Sequence, residues 1–96
     1  NTKTIRLYFG ASVVQSNTTT TAPNNVDWVI DASIFRYAGN SQTFHSVMHV
    51  GTALQAVVSS ILTTADNATI TIKVTGQNGT ASSSDIICRG MTVEAL

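Results

Sequence analysis

Short runs in which apolar and polar residues alternate, separated by turns rich in glycine and asparagine, constrain this fold more than any other sequence feature. Ile5, Leu7 and Phe9 alternate with Thr4 and Arg6 at the period of two expected of a β-strand with one wet face. Turn signals recur about every ten residues, which favours an all-β antiparallel sandwich or small barrel over alternating βα units. A chain of 96 residues has room for one core, so residues 1–96 are predicted to form a single compact β-sandwich domain.

Strand-like patterns cover much of the chain. In residues 28–37 bulky side chains occupy both faces, which predicts a strand that is central or covered on both sides. A break at Gly10 leaves the first two runs as either one bent strand or a hairpin. The predicted strands are residues 4–9, 11–15, 28–37, 42–50, 69–75 and 86–95.

Residues 53–64 are ambiguous. Leu54, Val57, Val58, Ile61 and Leu62 match the i, i+3, i+4, i+7, i+8 spacing of an amphipathic helix, whereas Thr and Ser fill much of the remainder. Taken by itself, this segment is the best helix candidate in the chain.

The clearest predicted loop is residues 17–25, which contain four consecutive Thr, two further Asn and the single Pro. Residues 38–41 and 76–79 carry turn residues that tolerate positive φ, and residues 80–84 form a polar loop. Because a rigid β-scaffold can hold variable loops, these segments are where recognition is expected.

Charge excludes several classes of function. Five Lys and Arg balance five Asp and Glu, and only 10% of the residues are charged, so no basic field is present to bind nucleic acid. No apolar run approaches the roughly 20 residues that span a bilayer, so no membrane insertion is expected. The single cysteine, Cys88, cannot form an internal disulfide.

Catalytic patterns are weak, and the chain is expected not to be an enzyme and to need no cofactor. Asp27 and Asp31 would lie about 13 Å apart on a strand, too far for a retaining glycosidase pair. Cys88 lacks a CxxC partner. Aromatic residues could stack on sugar rings, although core packing is the more common role for such side chains: Tyr8, Trp28, Phe35 and Tyr37.

Two histidines, His45 and His49, would share one strand face about 13 Å apart, so one ion cannot bridge them within a chain. If that face points at a three-fold axis, three copies of either histidine could converge on a metal. The plainer interpretation is that both are surface or interface residues.

Several sequence segments of the chain resemble a C-terminal module that recurs in structural proteins of tailed bacteriophages and prophages. The matching segments are residues 3–10, 27–36, 70–80, 85–88 and 91–94. Where that pattern has a double glycine after Tyr-Phe, this chain has Gly10-Ala11, and residues 45–62 lie outside the resemblance. The resemblance shifts residues 53–64 towards a strand.

The resemblance implies a jelly-roll-like homotrimer at the tip of a fibre, at a spike or on a head decoration, located in the virion and forming the terminal part of a longer protein. The first expectation is a non-enzymatic domain that binds a host surface glycan. The second is a capsid-decorating or head-fibre part that binds only other virion proteins, and the third is a polysaccharide depolymerase. The receptor-binding candidates are Asn17, Thr18, Thr19, Thr20, Asn24, Asn25, Asn40, Asn78 and Ser83.

Overall fold

Two antiparallel three-stranded sheets face each other in a computed structural model that describes residues 2–19, 27–51, 53–80 and 86–95. The first sheet has the order β2-β1-β6 and the second the order β3-β4-β5. The described residues contain no helix, and the predicted all-β antiparallel sandwich is confirmed. The strands are β1 Lys3–Phe9, β2 Ser12–Thr19, β3 Trp28–Ala38, β4 Ser41–Val50, β5 Ala53–Leu62 and β6 Ile72–Asn78.

Tight turns connect the strands that follow each other within a sheet. Gly10 has φ +62° and begins a two-residue turn, so β1 and β2 form a hairpin rather than one bent strand. Gly51 has φ +61° at the start of the turn from β4 to β5. Both glycines occupy the first turn position, where the hairpin geometry requires positive φ and a Cβ would be strained.

The core lies where β2 crosses β4 and β5. Val14, Phe44 and Leu62 are buried there. Side chains from both sheets pack around them: Leu7, Phe9, Ile34 and Val58. This confirms the predicted inward face of β1, and in β4 the buried face carries Phe44 and Met48.

A β-bulge lets β2 contribute two consecutive side chains to the interior. Leu7 pairs with Gln15 and Tyr8 with Val13, so Val14 is an extra residue that resets the alternation. Gln15 Nε2 donates to Ser46 Oγ at 3.3 Å, and Ser46 Oγ donates to the carbonyl of Val14 at 2.6 Å. These buried bonds join the sheets through polar groups and thereby fix their relative position.

We expect Ser46→Ala to lower the free energy of unfolding by about 1–3 kcal/mol, because it leaves the Val14 carbonyl and the Gln15 amide buried without this partner. Urea unfolding followed by circular dichroism measures the loss. Ser33→Ala, on the exposed outer side of β3, is the control and should change stability by less than about 0.5 kcal/mol. Equal effects of the two substitutions would contradict the bridging role of Ser46.

The helical spacing at residues 53–64 is misleading, since Ala53–Leu62 is strand β5. Val58 and Leu62 face the core, whereas Val57 and Ile61 lie on the other side. Gln55 is an extra residue between the pairs Met48–Ala56 and His49–Leu54, and this bulge interrupts the period of two that would have marked a strand.

Two predicted polar segments belong to strands instead. Residues 17–19 of the expected loop continue β2 because their backbone pairs with residues 3–5 of β1. Residues 76–78 of the expected turn continue β6 because they pair with the same part of β1 from the other side. The remaining residues of the expected loop, 20–25, and of the expected polar loop, 81–84, lie outside the described residues.

Other expected boundaries also differ. β6 begins at Ile72, so residues 69–71 of the predicted strand are not part of it. Residues 86–95 form no strand, although their sequence predicts one. β3 is an edge strand with an open outer side, so the prediction that it is central or covered on both sides is wrong for the single chain.

Candidate functional site

The two outer faces of the sandwich differ in chemistry. On the first sheet, Thr4, Arg6 and Tyr8 lie on the outer side, where Thr4 is buried and Arg6 and Tyr8 are half-buried, and their cross-strand neighbours are mostly polar. Thr4 and Thr18 share a hydroxyl hydrogen bond of 2.9 Å, and Lys73 Nζ lies 4.8 Å from the centroid of the Tyr8 ring. This surface, the polar face, is suited to contact with water.

The outer side of the second sheet carries a large share of apolar side chains. Cross-strand pairing places its residues in four rows, such as Phe35–Thr43–Ile61 and Asp31–Val47–Val57, and six of the twelve paired residues are apolar. Five of these large apolar side chains are each between 52% and 64% exposed. We call this side the apolar face; its apolar members are Val29, Phe35, Val47, Leu54, Val57 and Ile61.

Large apolar side chains are exposed more often than they are buried. Among the described residues, ten large apolar side chains are exposed and five apolar side chains are buried. Five of the exposed ones lie on the apolar face. Because exposed apolar patches often mark interaction sites, the apolar face is the candidate interaction surface of the described residues.

Both histidines lie on the apolar face, on its central strand β4. His45 Nδ1 is 2.8 Å from Ser59 Oγ, and both residues are exposed. His49 lies four residues further along, between Val29 and Leu54 in the paired rows. No group of three potential metal ligands occurs within the described part of one chain, so the trimer-axis metal site stays a prediction.

The receptor candidates do not form one cluster. Asn17, Thr18 and Thr19 lie in β2, Asn78 lies in β6, and Asn40 lies in the turn between β3 and β4. The Oδ1 atom of Asn17 is buried without a hydrogen-bond partner among the described residues, so it does not face an external ligand. The remaining candidates lie outside the described residues: Thr20, Asn24, Asn25 and Ser83.

Asp66 stabilises the turn at Asn40 through two hydrogen bonds to Asn40 and an ion pair with Arg36. Asn40 N–H donates to Asp66 Oδ2 at 3.0 Å, and Asp66 N–H donates to Asn40 Oδ1 at 2.9 Å. Arg36 Nε forms an ion pair with the same Oδ2 at 2.7 Å. The side-chain oxygen of Asn40 is therefore already engaged, and the positive φ of Asn40 is stabilised by this arrangement.

The hydrogen bond from Arg36, with that from the Asn40 N–H, lowers the pKa of Asp66 below its ordinary value of 3.8. A lowered folded-state pKa contributes stability above about pH 4, which is lost as pH falls through the folded value. We expect Asp66→Asn to lower the melting temperature slightly at pH 7 and to make no difference near pH 2. Asp27→Asn, at an exposed acid before β3, is the control; a difference between Asp66→Asn and the unsubstituted chain that is independent of pH would contradict the ion pair.

The aromatic residues proposed for sugar stacking are dispersed. Tyr8 lies on the polar face, while Phe35 and Tyr37 are exposed on the outer side of β3. Trp28 is half-buried in an open cleft of about 160 Å³ with Val74 and Gly76 of β6, and with Ile86. This volume is below the roughly 300 Å³ at which small-molecule pockets begin.

Within the described part of the chain, the acids do not assemble a hydrolytic pair. Asp31 lies on the apolar face, four residues from Asp27, and Asp66 is engaged by Arg36. Cys88 is exposed, and its thiol donates to the carbonyl of Gly90 at 3.5 Å. The depolymerase hypothesis therefore gains no supporting geometry from these residues.

The described residues contain no helix of the length and hydropathy needed to cross a bilayer. Comparison with protein-family models, with curated proteins and with solved structures finds no match to this chain. The apolar face is therefore the feature of the described residues that bears most directly on function.

Proposed function

We propose that this chain is a non-enzymatic structural domain that assembles into a homotrimer, as the terminal, jelly-roll-like part of a tailed-phage fibre, spike or head decoration. The apolar face is the observation that carries this proposal. The phage context comes from the resemblance of the sequence segments, and the apolar face supports the assembly that the resemblance implies.

A second copy of the chain is a suitable partner for the apolar face. The chain has no net charge, and the rows of the face contain only Asp31 as an acid, so copies repel each other weakly. Self-association would cover surface that the isolated chain leaves in water.

A three-fold arrangement is the symmetry we propose. Three flat sheets whose apolar faces point inward would enclose a prism-shaped core and would place the central strand β4 nearest to the axis. In that arrangement Val47, His45 and His49 of the three copies would meet or approach each other. Either histidine would then supply three imidazoles at one level, as the metal hypothesis requires.

Within such a particle, the architectural role has the better support. A large apolar face is suited to permanent burial between subunits, whereas several receptor candidates lie within strands or have engaged side chains. The domain would then contact other virion proteins and serve to close or decorate the assembly.

Host-glycan binding is the second candidate, because the exposed ring of Tyr37 lies close in sequence to the ordered turn at Asn40. A glycan array probed with the assembled domain separates the two roles. Reproducible sugar binding that Tyr37→Ala abolishes and Val13→Ala leaves unchanged would support attachment. If no glycan of the array binds the domain, and other virion proteins of the same particle do bind it, the architectural role would be supported.

A further inference from the structure

Residues 89–95 have the pattern of a short strand. Met91 and Val93 lie two residues apart and are 49% and 58% exposed, while Thr92 and Glu94 alternate with them, and Arg89 begins the same side. The period of two over residues 91–94 is the one expected of a strand with one buried side. Among the described residues the segment pairs with no strand, and its two large apolar side chains remain exposed.

An acceptor edge is available next to this segment. In the described sheet β6 pairs with β1 on one side and presents its other side as a free edge. Unpaired strand edges are templates for pairing with another chain. Ile86, three residues before the segment, packs over the inner side of β6, because a Cβ added at Gly76 would lie 2.9 Å from Ile86 Cγ2 and Gly76 pairs with the buried Ile5.

We propose that residues 89–95 of one copy add as a fourth, antiparallel strand to the β6 edge of a neighbouring copy. In the register that places Glu94 opposite Lys73, Val93 lies opposite Val74 and Met91 lies opposite Gly76. Leu7 and Val74 already pair in the sheet and lie on its inner side. Val93 of the added strand would extend this pair to an apolar row of three residues.

The charges select this register. Lys73 is the only charged residue of β6, Glu94 is the only acid among residues 86–95, and neither group has an ion pair with a described carboxylate or cation. A shift by one residue would turn the apolar side of the segment to water, and a shift by two would place Glu94 opposite a residue without charge. Opposite charges directly across a strand pair stabilise the pairing.

A second copy is the occupant we propose because, in the described part of the single chain, the segment does not add to β6 as a strand although Ile86 packs against β6 just before it. Exchange of an identical element between copies satisfies both groups without a new partner. This inference concerns the β6 edge and does not use the apolar face, so it stands or fails separately from the proposed trimer interface.

The test is a disulfide between separate chains. In a Cys88→Ser background, one protein carries Thr75→Cys and a second carries Thr92→Cys, two positions that lie opposite each other in this register and leave Lys73 and Glu94 in place; the two are refolded together and oxidised. A directly opposite cross-strand pair lies within the Cα separation that disulfides require, so we expect a reducible two-chain product on a denaturing gel. Neither protein oxidised alone should give that product, and Thr71→Cys in place of Thr75→Cys should give less than one tenth of it.

Two results would overturn the inference. If the mixture gives no two-chain product while a chain carrying both substitutions forms an internal disulfide, the segment pairs with its own β6 edge. If neither sample forms a disulfide, the segment does not pair with β6. Repeating the mixture with Val57→Lys in both proteins shows whether strand exchange persists when the apolar face is disrupted, which separates this inference from the proposed function.

Discussion

A chain that carries Val57→Lys should sediment near the single-chain mass of 10.1 kDa, whereas we expect the unsubstituted chain to sediment near three times that mass. Val57 is 56% exposed in the isolated chain and pairs with Val47 on the central strand of the apolar face. In a trimer that buries this face, three lysines would enter a core whose paired rows contain Asp31, two strands away across Val47, as their only acid. Burial of an unpaired charge costs several kcal/mol per ion, so the associated state should be lost and the monomer fold retained.

The matched control is Val13→Lys, because Val13 is an exposed strand valine on the polar face, next to Tyr8 in the sheet. The same change of side chain there should leave the sedimentation mass unchanged. A trimer that tolerates Val57→Lys, or one that Val13→Lys dissociates, would show that another surface holds the copies together.

Phe44→Ala should lower the free energy of unfolding by about 3–5 kcal/mol, the usual range when a buried phenylalanine is truncated. Phe44 contacts the core formed with Val14 and Leu62, where the two sheets meet. A small domain has a total stability of about 5–15 kcal/mol, so this loss should leave a substantial unfolded fraction at 37 °C. Urea unfolding in the Val57→Lys background measures folding separately from association.

Phe35→Ala provides the comparison, because Phe35 is on the same sheet but on its outer side and 64% exposed. In the monomeric background it should change the free energy of unfolding by less than about 0.5 kcal/mol. In the unsubstituted background it should weaken association, since large aromatic side chains at interfaces often contribute about 2 kcal/mol or more. Equal losses of monomer stability from both substitutions would contradict the assignment of inner and outer sides.

The period of two in the sequence predicted the inner and outer sides of β1 and β4, because one side of each strand packs on the other sheet. The boundaries of β2 and β6 could not be predicted in this way. Asn17 and Gly76 have residue types that favour loops and turns, yet both pair with Ile5 of the central strand β1. Pairing on both sides of β1 outweighed these local preferences, and the position of a partner strand cannot be inferred from one segment alone.

The most informative disagreement concerns β3 and residues 86–95. Apolar residues such as Val29 and Phe35 on the outer side of β3 predicted a covered strand, and Met91 and Val93 predicted a strand in a sheet. The single chain leaves these side chains exposed. Local preference and tertiary structure disagree where function or assembly acts on a protein. We attribute both disagreements to contacts supplied by other copies.

The candidate site could be predicted only in part. The alternation in residues 42–50 placed His45 and His49 on one side of a strand, which the structure confirms. The two hydrogen bonds between Asn40 and Asp66 could not be predicted from the sequence, because β4 and β5 separate these residues along the chain. The apolar face also required the register of three strands, including the bulge at Gln55.

Sedimentation equilibrium of the unsubstituted chain at micromolar concentration tests self-assembly most directly. We expect a single species with a mass near three times 10.1 kDa, and this mass should not depend on the loading concentration across the micromolar range. A homogeneous monomer at the same concentrations would contradict it.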